Sequence, residues 1–284
     1  MHRINIPCNL QVGVVGPFSG PRACYGDLLK QEVLSTGLQQ YVDILWEDDA
    51  ADPIIAGKIA HSLVKKGVFT VLGHFNSACA RTAGSIYSSA AIPLLLPAST
   101  AIDLTECLRT FRLCPNDQDQ IQSIMNFVSS HSFEHVAIWT DGSAYGLRLR
   151  DLIESQMQQT WLDPADLKNN SLLILLGAHH HVADFLLNLM PTSYNITALC
   201  CDDCSIEAFH HLVKDIPNIW VVTPSPDFRG CVRSAAELII SYVTMKTDIP
   251  FEHWLSRPDG PFLMQQHIGT QFVCHSFFRC FIHD

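Results

Sequence analysis

Short apolar runs rich in β-branched residues alternate along this sequence with longer stretches whose apolar residues recur at helical spacing. The runs are Val12 to Gly16, Val42 to Trp46, Val68 to Gly73, Ile92 to Leu96, Val136 to Thr140, Leu172 to Gly177, Ile196 to Cys200 and Ile219 to Thr223. Helices fit between them at Gly26 to Leu34, Arg81 to Ala90, Gln118 to Ser130, Gly146 to Gln159, Val182 to Leu189, Ser205 to Val213 and Gly230 to Thr244. The clearest helix runs from Pro53, a good first-turn residue, to Lys66. Ala56, Ile59, Ala60, Leu63 and Val64 share one face, and Gly67 supplies the stop. Repeated strand-helix units require a mainly parallel sheet covered by helices on both faces, an α/β fold.

The series splits in two. Four strand-helix units precede Phe111-Arg112-Leu113-Cys114-Pro115 and four follow it, ending at Thr223-Pro224-Ser225-Pro226. These proline-bearing stretches are where a chain would cross between two lobes. Open α/β sheets bind ligands in the loops at the carboxyl ends of their strands, so two facing sheets would place the chemistry in a cleft lined by loops.

Composition removes several alternatives. The chain has 284 residues, ample for one large or two medium domains. With 48% hydrophobic and 16% charged residues, it is too apolar to stay unfolded. A net charge of −10, with Lys65 and Lys66 as the nearest basic run, argues against a nucleic-acid partner. The apolar runs near Ala90 to Ala98 and Leu172 to Ala178 fall far short of the roughly 18 residues of a membrane span. Met1-His2-Arg3 and the short run Val12 to Val15 do not read as a secretory signal, so the expectation is a cytosolic chain or one whose leader has been removed. Eleven cysteines, an odd and irregularly spaced set, argue mildly for a reducing compartment.

Four loops follow strands directly: Gly16-Pro17-Phe18-Ser19-Gly20-Pro21 with Tyr25-Gly26-Asp27 after it, Gly73-His74-Phe75-Asn76-Ser77-Ala78, Pro97-Ala98-Ser99-Thr100, and Asp141 to Tyr145-Gly146. Small hydroxyl residues ahead of a helix leave backbone N–H groups that suit a carboxylate. The same residues also read as caps. Thr100 with Asp103 fits a capping box, and Ser77 fits the start of its helix.

In order and spacing, Val12-Gly-Val-Val-Gly-Pro-Phe-Ser-Gly-Pro21, Tyr25-Gly-Asp27, Glu47-Asp-Asp-Ala-Ala-Asp-Pro53, Val71-Leu-Gly-His-Phe-Asn-Ser77 and Pro97-Ala-Ser-Thr100 with Leu104-Thr105 resemble the leucine/isoleucine/valine-binding proteins. These are type I periplasmic solute-binding proteins of ABC transporters. The likeness covers Gln11 to about Tyr145 and weakens beyond Leu172. It implies two Rossmann-like lobes joined by hinge crossovers, residues 8–117 plus 226–258 and residues 118–225 plus 259–284. It also implies a zwitterionic, aliphatic amino acid bound in the interlobe cleft with no catalysis and no cofactor. Ser77, Ser99 and Thr100 would grip the carboxylate, with Ala98 on the same loop and Tyr25 at the wall. Tyr145 would close over the ligand, and Asp202, with Asp203 as its neighbouring alternative, would take the ammonium. An ABC permease would be the partner of an exported chain, and a periplasmic location follows from the resemblance.

Departures from the family pattern are concentrated in the second lobe. Between Gln159 and Leu172 the family carries a further strand and helix where this chain has little more than Trp161-Leu-Asp-Pro-Ala-Asp166, so the second lobe is expected to be reduced by a strand. Arg233 to Trp254 is short, and Gly260-Pro261-Phe262 with Phe272 to Phe281 resembles the closing hairpin. His179-His180-His181 falls where the family presents small or aromatic residues to the ligand. Those imidazoles either line the site, with binding sensitive to pH near about 6.5, or form a solvated loop.

Two other chemistries are suggested by residue types alone. Cys201-x-x-Cys204 with His210-His211 has the residue types of a zinc site, but a strand-end and a helix-start cysteine are expected to point their thiols apart, leaving buried inert cysteines and no metal. A nucleophile elbow, a phosphate-binding glycine loop, a His-Glu-x-x-His pair and a dinucleotide fingerprint are all missing from the sequence, which leaves an enzyme unsupported. The candidate functions are therefore a transporter's amino-acid receptor, a cytosolic amide or amino-acid sensor of the same fold, and a degenerate relative that no longer closes on a ligand.

Overall fold

A computed structural model of the chain describes residues 10–157, 161–189, 195–245, 247–257 and 271–276. They divide into two compact units: the described residues up to Asn116 with those from Ser225 to 257, and Asp117–Pro224 with residues 271–276. Gln159, Gly260-Pro261-Phe262 and the last part of the expected closing hairpin lie outside the described residues.

The first unit holds a five-stranded sheet in the order β2-β1-β3-β4-β5. Its strands are β1 (Gln11–Gly16), β2 (Asp43–Asp48), β3 (Thr70–Leu72), β4 (Leu94–Leu96) and β5 (Thr110–Arg112). Neighbours are parallel throughout, with Val12 opposite both Ile44 and Thr70. Val12, Val14, Val71, Leu72, Leu94 and Leu95 are fully or almost fully buried, as expected of strands covered on both faces. The covering helices include α1 (Ala23–Ser35), α2 (Pro53–Lys66), α3 (Ser77–Ser89) and α8 (Phe228–Met245).

Helix α2 shows how local chemistry sets these boundaries. The Asp52 carboxylate accepts hydrogen bonds from the Ile54 and Ile55 N–H groups, Pro53 occupies the first turn where no donor is needed, and Gly67 ends the helix in the left-handed conformation. Between those caps Ala56, Ile59, Ala60 and Leu63 are buried against the sheet and α3.

β5 corrects one expectation: Phe111 and Arg112, expected in a segment crossing between lobes, form a strand. Three residues are too few to show a period of two, and the segment is a strand because it pairs with β4, Leu95 opposite Phe111.

The second unit repeats the plan in the order β10-β9-β8-β7-β6. Its strands are β6 (His135–Thr140), β7 (Ser171–Leu176), β8 (Ile196–Cys200), β9 (Ile219–Ser225) and β10 (Gln271–Ser276). β6 to β9 run parallel, and every residue of β7 is buried. Helices α4 (Asp117–Ser130), α5 (Ala144–Gln156), α6 (His179–Leu189) and α7 (Glu207–Val213) belong to this unit.

The two sheets differ at one edge. β1 has the full strand β2 on its outer side. At the matching place β6 has, among the described residues, only the single parallel bridge between Ala137 and Leu162, closed by the Leu162 N–H to the Val136 carbonyl at 2.9 Å. The short stretch between α5 and β7 thus supplies one residue of pairing where a strand was expected to be lost.

Candidate functional site

In both units the candidate residues sit in the loops that follow the carboxyl ends of parallel strands or in the first turn of the helix after them. In the first unit the loop after β1 is fastened by Asp48, which accepts from the Phe18 and Ala50 N–H groups at 2.8 Å each. Although burial opposes the charge, those bonds and one from the Ser19 hydroxyl hold its carboxyl below the usual range. Gly26 permits the loop to lie on α1, since a Cβ there would come within 2.4 Å of the Pro17 carbonyl oxygen.

The loops after β3 and β4 are tied to each other. Ser99, fully buried, donates its hydroxyl hydrogen toward the His74 and Phe75 carbonyls at 2.9 and 3.2 Å. Ser77 opens α3, and its half-buried hydroxyl accepts from the Ala101 N–H at 3.3 Å. Asn76, not Ser77, is the cap residue of α3, without a side-chain cap bond. The expected capping box also fails to form. The short 3₁₀ turn Ile102–Glu106 starts after Ala101 with no side-chain cap, and Asp103 is held by two bonds from Arg81 at 2.6 and 2.8 Å. Thr100 and Ala98 are buried beside Ser99. Tyr25 is also buried, its ring 5.0 Å from that of Phe75, which in turn meets Phe228 at 5.9 Å.

Beneath these loops lies a polar network that the sequence did not signal. His74 Nδ1 is 2.8 Å from Asp49 Oδ2 and His74 Nε2 is 3.2 Å from the Tyr87 hydroxyl, and none of the three residues is exposed. A histidine, an aspartate and a tyrosine scattered over three elements carry no common motif, so only the fold brings them together.

In the second unit Tyr145 and Asp202 meet directly. The Tyr145 hydroxyl donates to Asp202 Oδ1 in a short hydrogen bond. Gln120, fully buried on α4, accepts from the Asp202 N–H at 3.1 Å and places its amide 3.5 Å from the Tyr145 oxygen. Arg148, one turn along α5, binds Asp117 at 2.8 Å and lies 5.6 Å from the centre of the Tyr145 ring. Burial pushes the Asp202 carboxyl up to about 7, with the nearby Asp203 and Asp117 adding to the shift against the Tyr145 and Gln120 hydrogen bonds. Asp203 faces another way: its carboxylate accepts from the His179 N–H at 2.8 Å.

The triple histidine does not form a loop. It makes the first turn of α6, with His179 buried and His181 Nδ1 3.2 Å from Asp141. Asp141 ties the loop after β6 to that turn, accepting from the Ser143 N–H and hydroxyl and from the Ala178 N–H. The cysteines depart from expectation as well. The thiol of Cys204 lies beside those of Cys200 and Cys201 rather than apart, because the 3₁₀ turn Asp202–Cys204 folds back under the end of β8. Among the described residues no group of His, Cys, Asp and Glu is arranged to hold a metal ion. None of the described helices is long and apolar enough to cross a membrane.

The Leu/Ile/Val-binding protein homolog 2 of Brucella abortus is 28% identical over 163 residues, and the Leu/Ile/Val-binding protein of Escherichia coli K12 is 32% identical over 171. Each match covers 53% of this chain and 44% of the relative, so the chain spans less than half the length of the curated relatives it matches. Among solved structures, the branched-chain amino-acid substrate-binding protein LivJ of Streptococcus pneumoniae, in complex with isoleucine, has a TM-score of 0.77 at 15% identity, covering 89% of this chain and 90% of its own. The leucine-binding protein LivK of Thermotoga maritima has a TM-score of 0.72 at 13% identity, covering 83% of each chain. At those identities the structures establish the fold, two mainly parallel α/β sheets of the type I periplasmic binding protein kind. The sequence profile of the periplasmic binding proteins matches residues 9–163, more than half of the 284. The chain belongs to the periplasmic binding protein family.

Proposed function

We propose that this protein binds a small aliphatic amino acid, without catalysing a reaction on it, as the substrate-binding component of an ABC transporter. In this reading the first unit's loops at Ser77 and Ala98 to Thr100 take the carboxylate with hydroxyl and backbone N–H groups. Tyr25 and Tyr145 supply aromatic surface, and Asp202 takes the ammonium. The observation that carries the reading is Asp202 itself: a carboxyl only 3% exposed, directly after β8, capped by a tyrosine hydroxyl and by no arginine or lysine bond among the described residues. Such a group lacks the charge partner that a buried carboxylate needs, and an ammonium supplies it. The relatives' names, which specify leucine, isoleucine and valine, support an aliphatic ligand. His179 is buried beside Asp203, to whose carboxylate its N–H donates, and in this reading its imidazole lines the site. A permease partner and a location outside the cytoplasmic membrane follow from the same reading.

The odd and irregularly spaced set of eleven cysteines favours a second reading, a cytosolic sensor of amino acids or amides with the same fold. Isothermal titration with L-leucine, L-isoleucine, L-valine and their amides tests both. Binding of the amino acids that is weakened in Ser77→Ala and Asp202→Asn supports the receptor, binding of amides alone supports the sensor, and amino-acid affinity unchanged in both variants contradicts the site.

A further inference from the structure

Three carboxyl groups crowd one region of the second unit. Asp117 begins α4, while Asp202 and Asp203 share the turn after β8. Asp117 and Asp202 are 0% and 3% exposed, and Asp203 has a side chain only 11% exposed. The groups that face Asp202 come from every neighbouring element. α5 brings the Tyr145 hydroxyl and, behind its ring, Arg148; α4 brings Gln120 and Asp117; the turn itself brings Asp203 and Cys201; and α6 brings His179, whose Nδ1 is 3.4 Å from Asp203. The fixed positive charge in this set is Arg148, and its Nε is committed to Asp117 at 2.8 Å. The second oxygen of Asp117 is buried with no hydrogen-bond partner among the described residues. One cation and three acids, closely packed and dry, cannot all hold their charges without a large cost. The hydrogen-bond pattern shows where that cost is relieved. Arg148 binds Asp117 and His179 lies 3.4 Å from Asp203, whereas among the described residues the Asp202 side chain meets the uncharged Tyr145 hydroxyl and Gln120 amide, so Asp202 is the acid that carries the proton.

We propose that ligand capture at this half-site is proton-linked: Asp202 is a neutral carboxylic acid in the free protein and gives up its proton when the ammonium group of the ligand arrives. The step is an exchange of like charges. The carboxyl O–H bond breaks, the proton passes to solvent, and the carboxylate accepts N–H bonds from the ammonium. Nothing is oxidised or reduced. The inference rests on the reading of Asp202 as the ammonium acceptor. Its consequence is an affinity that weakens about tenfold for each pH unit below the Asp202 midpoint, while above that midpoint pH has no effect through this group. Because burial and its acidic neighbours set that midpoint at about 7, the dependence falls in the range where a cell's surroundings vary.

Calorimetric titration with L-leucine, L-isoleucine and L-valine in two buffers of different ionisation enthalpy measures the protons exchanged. The expected result is release of close to one proton per ligand at about pH 6, falling to none by about pH 9. Binding at pH 6 with no proton release would overturn the linkage and leave the amino-acid reading standing. Absence of heat with every amino acid would overturn that reading and the linkage with it. Two variants move the midpoint in opposite directions. Tyr145→Phe removes a bond that favours the carboxylate and shifts it up, and Asp117→Asn removes a repelling charge and shifts it down. Unmoved midpoints in both would contradict the proposal. Infrared spectra of the ligand-free protein give a check that needs no ligand. A carboxylic-acid C=O band is expected at neutral pH that disappears in Asp202→Asn, and its absence from the parent protein would refute the neutral form.

Discussion

His74 and Asp49 face each other at 2.8 Å with neither side chain exposed, and this pair anchors the loop after β3 to the turn after β2. The same loop carries the carbonyls that receive the Ser99 hydroxyl, so the buried pair positions the residues proposed to meet the carboxylate. Replacing Asp49 with Ala leaves a buried imidazole without its partner and is expected to cost about 3–5 kcal/mol in urea unfolding. Tyr87→Phe, which deletes only the hydroxyl at 3.2 Å, should cost about 1 kcal/mol. An Asp49→Ala protein within about 0.5 kcal/mol of the parent would show that the pair is not structural.

Asp202 should trade stability for binding. Its folded-state midpoint, about 7, lies above the ordinary carboxyl value, so the folded protein holds a proton that the unfolded chain has lost across the interval between the two. Over that interval the contribution of Asp202 to stability declines as pH rises, and above about 7 it is fully lost. Asp202→Asn cannot titrate. It should therefore melt at a higher temperature than the parent at pH 8, with the difference closing toward pH 4, while losing on the order of 1.5–3 kcal/mol of amino-acid binding. Equal melting temperatures at pH 8 would remove the buried-acid assignment.

Asp141 behaves in the opposite sense. Burial alone would raise its carboxyl, but bonds from Ser143, the Ala178 N–H and His181 hold it below the ordinary range. Its contribution is present at neutral pH and is lost as pH falls through that depressed value. Asp141→Asn is expected to destabilise by about 1–3 kcal/mol at pH 7, with a smaller effect in acid below about pH 4. Gly177, with φ +157°, packs so close that a Cβ would lie 2.4 Å from Asp141 Cγ. Gly177→Ala should therefore lower the melting temperature more than Asp141→Asn does, since it adds backbone strain to the displaced carboxylate.

Cysteine chemistry gives a separate check of the packing. Cys200, Cys201 and Cys204 are buried, and burial with neighbouring thiols raises Cys204 well above its usual value. Cys231 is pushed up to about 12 by burial and by Asp227. Alkylation of the native protein followed by peptide mapping should modify half-exposed Cys24 and Cys107 first and spare these four until the chain is unfolded. Early labelling of Cys204 would contradict the packing described after β8.

Where a segment carried its own signals, its structure was readable from residues alone. Asp52, Pro53 and Gly67 bracket α2 at the boundaries expected, and Ile196–Cys200 is a strand over the residues expected. Strands that begin with residues serving the turn before them were misjudged at their starts. Ile92 and Pro93 precede β4, and Val68 and Phe69 precede β3. β5 was missed because its three residues owe their conformation to β4 and not to any local pattern. The site was less legible than the fold. Tyr145 and Asp202 are 57 residues apart, and only a resemblance suggested that both matter. Gln120, Asp117 and Arg148 joined them unannounced, since a glutamine or arginine on an amphipathic helix reads as a solvated face until tertiary packing buries it.

Whether this protein holds an aliphatic amino acid is decided by a thermal melt at pH 8 with and without L-leucine, L-isoleucine and L-valine. At a hundred times its dissociation constant a bound ligand stabilises the folded state by about 2.7 kcal/mol, a shift of several degrees. That shift is expected in the parent protein with at least one of the three, and a much smaller one in Asp202→Asn at the same ligand concentration. No shift with any of them, across a concentration range reaching millimolar, would contradict amino-acid binding.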